Sequence, residues 1–127
     1  MAYPIPNNIP RNTGKTLNAI LWAMQILVAL AILAAAGAKL AGSPKMVEEF
    51  QKIGLGQWFR HVTAVLEVAV ALALVFPRTA FYGAALLALV MSGAVVAHLA
   101  VLGVATAMPA VVLLILAGTI ACFRRAR

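Results

Sequence analysis

The chain has 127 residues, of which 65% are hydrophobic and only 10% are charged. A water-soluble domain of this length could not bury so much apolar surface, so the composition excludes an ordinary soluble fold and indicates an integral membrane protein. The net charge is +7, but the basic residues lie in the tails and between the apolar runs. That distribution is typical of residues that flank a membrane, and we do not expect nucleic acid as a partner.

The chain begins with a polar, proline-containing tail at residues 1–16, and the first apolar run follows at residues 17–38. At about 1.5 Å per residue this run can cross the roughly 30 Å hydrocarbon layer as a single helix. It is longer than the ~7–15 apolar residues of a secretory signal peptide, so we predict that it is a transmembrane helix. Gln25 is the polar residue that stands out within it.

A short amphipathic helix is predicted at residues 44–53. Ser43 and Pro44 form a typical helix start, because a serine side chain can cap the first turn and proline needs no N–H partner there. Gly54 is a natural stop. Apolar residues fall on one face and charged residues on the other, so we expect this helix at the membrane surface or over the mouth of a bundle.

Three more apolar runs follow. They occupy residues 58–76, 80–102 and 109–123, and a basic tail closes the sequence at residues 124–127. The connections between these runs are too short for anything but antiparallel neighbours. The chain is therefore predicted to be all-α: an integral membrane four-helix bundle of up-down-up-down topology, with the amphipathic helix between its first and second spans.

Small residues recur at every fourth position of the third apolar run. The row consists of Ala80, Ala84, Ala88 and Ser92. Small side chains let helix backbones approach closely in lipid, so this row is expected to pack against Ala69 and Ala73 of the second run.

The distribution of basic residues predicts an orientation. With the N-terminus inside, six Lys or Arg residues lie on the inner side and four on the outer side. Because cytoplasmic loops carry the excess of basic residues, both termini are expected in the cytoplasm.

Glu67, near the middle of the second apolar run, is the residue that tells most about function. An acid at the centre of a transmembrane helix costs about 2.5–3.5 kcal/mol on insertion scales. Such a residue rarely faces lipid. We therefore expect Glu67 to face the bundle interior, either protonated or paired with a donor.

Distances along the helix axes predict which polar residues share the depth of Glu67. Gln25 is expected close to that depth, and Ser92 somewhat nearer the outer side. His98 is expected at the outer end, level with Lys39, so direct contact with Glu67 is not expected. Glu67 and His98 would instead mark the deep end and the mouth of one cavity.

Seven residues are therefore candidates for ligand binding: Glu67, Gln25, Ser92, Met91, His98, Lys39 and Trp58. Structural roles stay open for these residues. Glu67 and Gln25 could form a buried hydrogen bond, and His98 could cap groups at the membrane interface. Met91 and Trp58 could serve in ordinary packing and interfacial contact. No catalytic residue is assigned, because no Ser-His-Asp or Cys-His arrangement is present. No metal site is expected from two histidines and one acid at unmatched depths.

Several short motifs occur in a characteristic order. They are Ala36-Gly37-Ala38-Lys39-Leu40, then Phe50 with Gly54 before Trp58, then Leu66-Glu67 before Pro77, and finally Met91-Ser92-Gly93-Ala94 leading to His98-Leu99. Together they resemble the DoxX-like family of small four-helix membrane proteins. The resemblance implies a bundle in a bacterial cytoplasmic (inner) membrane. It also implies a link to redox chemistry, since some relatives are named as subunits of thiosulfate:quinone oxidoreductase and others are linked to oxidative stress.

Three functions are compatible with these features. The first is a redox-linked membrane subunit that binds a quinone or similar lipophile. Quinone is then the only cofactor expected. With Cys122 as the only cysteine, the chain has no thiol pair, so electrons would come from a partner membrane redox protein. The second is a non-redox carrier or binding protein for a hydrophobic ligand or lipid, with Glu67 as a counter-ion and a homodimer as the transport unit. The third is a structural assembly subunit, so enzymatic activity stays an open question.

Overall fold

The structure is a computed structural model that describes residues 11–125, so residues 1–10 of the predicted tail and the final two residues lie outside it. Within this range the chain is all-α. Its helices are α1 (Arg11–Ala41), α2 (Pro44–Ile53), α3 (Gln57–Leu74), α4 (Ala80–Ala97) and α5 (Met108–Arg124). One π-helical turn at His98–Leu102 and one 3₁₀ turn at Val104–Thr106 join α4 to α5.

Three segments of the described chain are long and apolar enough to cross a membrane. They are Gly14–Ala41, Gln57–Leu74 and Ala80–Leu102. The last of the three includes the π-helical turn, which continues α4 to 23 residues. Helix α5 is also apolar but has only 17 residues. Length and composition thus make the chain a multi-pass membrane protein.

Helix α1 begins at Arg11 rather than at residue 17, the predicted start of the first span. The prediction followed the apolar run alone. A helix can extend beyond the hydrocarbon layer, because its backbone hydrogen bonds form equally well next to polar side chains. Lys15 and Thr16, predicted as part of an irregular tail, therefore lie in the first turns of α1.

Helix α2 has local signals at both ends. It starts at Pro44 and ends at Gly54, whose φ of 84° is left-handed and whose N–H donates to the Phe50 carbonyl. Ser43 occupies the N-cap position, but its side chain makes no capping hydrogen bond, contrary to the prediction. Its backbone N–H instead donates to the carbonyl of Ala38 at 3.1 Å, which ties the start of α2 to the end of α1.

The long helices pack in a ring: α1 against α3, α3 against α4, α4 against α5, and α5 back against α1. The core between them is aliphatic. Its largest fully buried apolar side chains include Ile32, Leu74, Leu87 and Ile120. Helix α2 lies across one end of this ring, against α3, α1 and the π-helical turn.

Helices α3 and α4 touch most closely near the turn that joins them. A Cβ atom added at Gly83 would lie 2.7 Å from the Ala73 Cβ atom, so only glycine fits at this crossing. Of the predicted small-residue row, Ala80 and Ala84 are buried, but the close approach to Ala73 is made by Gly83, and the predicted partner Ala69 is exposed. Ser92, at the end of the row, is exposed, and the neighbouring part of α4 lines a cavity together with α3.

Candidate functional site

A cavity of about 600 Å³ lies where α3 and α4 separate, beneath α2. All five helices contribute to its walls. Most of the lining side chains are apolar, including Ile32, Phe50, Leu66, Leu89, Met91 and Leu113. Its polar groups are few: Lys39, Glu67, His98, Thr63 and Thr106, with Lys45 and Glu49 contributed by α2.

The deepest polar feature of this cavity is an ion pair between Lys39 and Glu67. The Lys39 Nζ atom lies 2.9 Å from the Glu67 Oε1 atom, and the side chains are only 12% and 2% exposed. Helical side chains lean towards the N-terminus of their helix, so Lys39, in the last turn of α1, reaches back into the bundle. The pair neutralises two charges that an apolar environment would not tolerate singly.

Glu67 thus faces the bundle interior and is paired with a donor, as the sequence predicted. Its partner was not predicted, because Lys39 was placed level with His98 at the outer end. That placement followed the helix axis and neglected the reach of a long lysine side chain. The exposed Lys52–Glu48 pair on α2, at 3.3 Å, is an ordinary surface contact by comparison.

Arg60 fixes the end of α1 and the start of α3 relative to each other. It is 8% exposed, and its guanidinium group donates to the Lys39 carbonyl and, at 2.9 Å, to Gln57 Oε1. Gln57 Nε2 in turn donates to the Val47 carbonyl of α2 at 3.1 Å. Arg60 is one of the four basic residues that the sequence analysis counted on the outer side. Its side chain is buried and holds the Lys39 backbone beside the cavity through a hydrogen bond.

His98 lies at the other side of the cavity, in the first position of the π-helical turn. Its Nδ1 atom is 2.7 Å from the Thr106 hydroxyl, which donates its own proton to the Gly103 carbonyl at 2.7 Å. With the hydroxyl proton directed to this carbonyl, the network assigns the Nδ1–H tautomer to His98. The contact orients the imidazole ring at the cavity wall.

Gln25 belongs to a different cluster at the opposite end of the bundle. Its Nε2 atom donates to the Leu74 carbonyl at 2.8 Å, and its Oε1 atom accepts from Arg124 Nε at 2.7 Å. Arg124 also donates to Asn18 Oδ1 at 2.8 Å, and its guanidinium carbon lies 5.5 Å from the centre of the Trp22 ring.

The predicted shared depth of Gln25 and Glu67 is therefore wrong. Leu74 lies seven residues beyond Glu67 on α3, which is roughly 10 Å along the axis. Arg124, predicted as part of a basic tail, is the last residue of α5 and only 6% exposed. A buried amide needs partners for both its oxygen and its nitrogen, and Arg124 and Leu74 supply them.

The remaining predicted site residues divide between the cavity and the outer surface. Met91 is buried and lines the cavity. Ser92 is exposed and donates to the Ala88 carbonyl at 2.7 Å, and Trp58 is 62% exposed. Of the seven candidates, Glu67, Lys39, His98 and Met91 thus lie together at the cavity, whereas Gln25, Ser92 and Trp58 do not. Within the described residues, no three His, Cys, Asp or Glu side chains form a group that could hold a metal ion.

These features define a multi-pass membrane protein with a buried ion pair beside an apolar cavity. The chain belongs to the DoxX-like family, whose family model matches residues 23–119. That range contains the Lys39–Glu67 pair, His98 and most of the cavity wall. No curated protein and no solved structure matches the chain.

Proposed function

We propose that this DoxX-like protein binds a neutral lipophilic small molecule of the quinone type, as a redox-linked membrane subunit. One observation carries the proposal: the buried Lys39–Glu67 pair borders an apolar cavity of about 600 Å³. Small-molecule sites have roughly this size, about 300–1,000 Å³, and combine apolar walls with a few convergent polar groups.

The charge of the cavity favours a neutral head group. Glu67 already has a counter-ion 2.9 Å away, so an amine ligand would have to displace a buried lysine. An anionic ligand would have to displace Glu67 from the same lysine. A carbonyl or hydroxyl group on a neutral ring can instead accept from Lys39 or donate to Glu67 while the pair stays intact.

The redox link rests on the family resemblance and on the chemistry of a quinone head. A quinone takes up protons as it is reduced, and an acid, an ammonium group and an imidazole at the cavity suit that exchange. Electrons would come from a partner membrane redox protein, because the chain's single cysteine cannot form a thiol pair. In this role the chain is a quinone-interacting subunit rather than a complete oxidoreductase.

The proposed setting is the bacterial inner membrane, with α5 as the fourth span of an up-down-up-down bundle. Its 17 residues extend roughly 26 Å, close to the hydrocarbon thickness. Both termini would then lie in the cytoplasm, on the side of the Gln25–Arg124 cluster. The Lys39–Glu67 pair and α2 would lie towards the outer side.

Equilibrium binding of two probes with the same tail tests this function. Decylubiquinone has a neutral head and decylamine a cationic one, and each is titrated into the protein in nanodiscs. We expect saturable binding of decylubiquinone that is weakened by Glu67→Gln and preserved in Glu48→Gln, which removes an exposed carboxylate of α2.

Saturable binding of decylamine alone would instead favour a carrier in which Glu67 is a counter-ion. Failure of both probes to bind, with the fold intact, would favour an assembly subunit.

A further inference from the structure

The cavity is open between α3 and α4. Leu66 of α3 and Leu89 of α4 both line it, yet they are 38% and 71% exposed. Gly93 of α4 also lines the cavity and is exposed, and a Cβ atom added there would meet nothing within 4 Å. The wall between α3 and α4 is therefore incomplete at these three residues.

The opening follows from the way the two helices diverge. Ala73 and Leu66 are seven residues apart, about two turns, and so lie on the same side of α3. Gly93 lies ten residues beyond Gly83 on α4, roughly 15 Å further from the turn and rotated by about 80° around the helix axis. At Ala73 and Gly83 the backbones are in contact, whereas at Leu66 and Gly93 the cavity separates them.

The cavity also combines a buried ion pair with an opening lined by apolar residues. Leu66, Leu89 and Gly93 lie within segments apolar enough to cross the membrane, so the opening faces lipid chains. The Lys39–Glu67 pair reaches the cavity from the end of α1, and α2 covers that end. A molecule that fills the cavity would thus have its polar head near the ion pair and its apolar part at the opening.

We infer that the gap lined by Leu66, Leu89 and Gly93 is a lateral portal, in which the hydrocarbon chain of a long-chain membrane lipid lies while its head contacts the Lys39–Glu67 pair. This inference rests on the proposed function and deepens it. The ligand is a chain-bearing lipid that arrives through the bilayer, and the cavity holds only its head and the first part of its chain.

Photolabelling with a tail-modified probe tests the portal. The probe is a decylubiquinone that carries a diazirine on its alkyl tail, dissolved in phosphatidylcholine vesicles with the reconstituted protein. The blocking variant is Gly93→Phe, whose ring can occupy the open space at the portal. The matched control is Gly118→Phe on α5, where an added Cβ also meets nothing within 4 Å but which does not line the cavity.

We expect label on the peptides around Leu66 and Leu89 in the wild type and in Gly118→Phe, and its loss in Gly93→Phe. Native mass spectrometry of the same samples reports whether a lipophile is bound at all. A bound lipophile whose tail labels α1 or α5 instead, or whose labelling survives Gly93→Phe, overturns the portal and leaves the proposed function standing. Absence of any bound lipophile in the wild type overturns both.

Discussion

Removing Lys39 and removing Glu67 should lower the stability of the protein by different amounts. The variants are Lys39→Met, Glu67→Gln and the double variant, compared by their free energies of unfolding. Removal of one partner from a buried ion pair typically costs about 3–5 kcal/mol, because the other charge stays buried without compensation. The two residues differ in how the remaining charge can be neutralised or reach solvent.

In Lys39→Met, Glu67 remains only 2% exposed and can avoid an uncompensated charge only by taking up a proton. Neutralising an ordinary glutamate at pH 7 costs about 3.7 kcal/mol, which limits the loss to about 3–4 kcal/mol. In Glu67→Gln, Lys39 lies in the last turn of α1 and can extend towards the surface, so we expect a loss of only about 1–2 kcal/mol. The double variant should lose about 1–2 kcal/mol, which corresponds to a coupling of about 2–5 kcal/mol.

Reversible unfolding by dodecyl sulfate in mixed micelles measures these differences. Glu48→Gln is the control, because it removes a carboxylate of similar charge from an exposed pair and should change stability by less than about 0.5 kcal/mol. The reasoning would be refuted if the losses in the two single variants simply added in the double variant. It would also fail if Lys39→Met cost no more than the control.

Two further substitutions test the packing of the bundle by the same unfolding measurement. Gln25→Leu should cost about 2–3 kcal/mol, because it removes the acceptor of Arg124 Nε and leaves a buried carbonyl without its donor; an unchanged stability would contradict the buried cluster. Gly83→Leu should cost about 2 kcal/mol or more, because its Cβ atom would lie 2.7 Å from that of Ala73. Gly118→Leu is the control, because a Cβ atom added there meets nothing within 4 Å, and it should be neutral or slightly stabilising. Equal losses of stability at the two glycines would show that the α3–α4 contact is not close.

The sequence was sufficient for features that depend on local signals. Pro44 and Gly54 mark the two ends of α2, because a proline suits a helix start and a glycine can adopt the left-handed conformation at its end. Glu67 could be assigned to the interior from the cost of exposing an acid to lipid. The family resemblance, read from short motifs, agrees with the family model that matches residues 23–119.

The sequence was insufficient where a side chain reaches far from its own backbone. Lys39 was assigned to the outer end from its Cα position, yet its ammonium group lies beside Glu67. Arg124 was taken as part of a basic tail because basic residues often end a span, and nothing local distinguishes a buried arginine from an interfacial one. Asn18 and Gln25 are seven residues, or about two turns, apart and so lie on the same side of α1. Their spacing was the signal that this side is polar and faces Arg124.

The cavity itself could not be predicted, since its walls come from all five helices and depend on how these pack. Gly83 allows α3 and α4 to approach closely near the turn, and further from the turn both helices line the cavity. Gly93 leaves the resulting gap open, although in the sequence it is only one more small residue of an apolar run.

Native mass spectrometry with lipid extraction tests the central claim most directly, with the detergent-purified wild type beside Glu67→Gln and Glu48→Gln. We predict that a neutral, chain-bearing lipophile is bound in a one-to-one ratio to the wild type and to Glu48→Gln, and that it is lost from Glu67→Gln. A wild-type protein that is folded but carries no such molecule, or a Glu67→Gln variant that retains it undiminished, would contradict the assignment of the Lys39–Glu67 cavity as a ligand site.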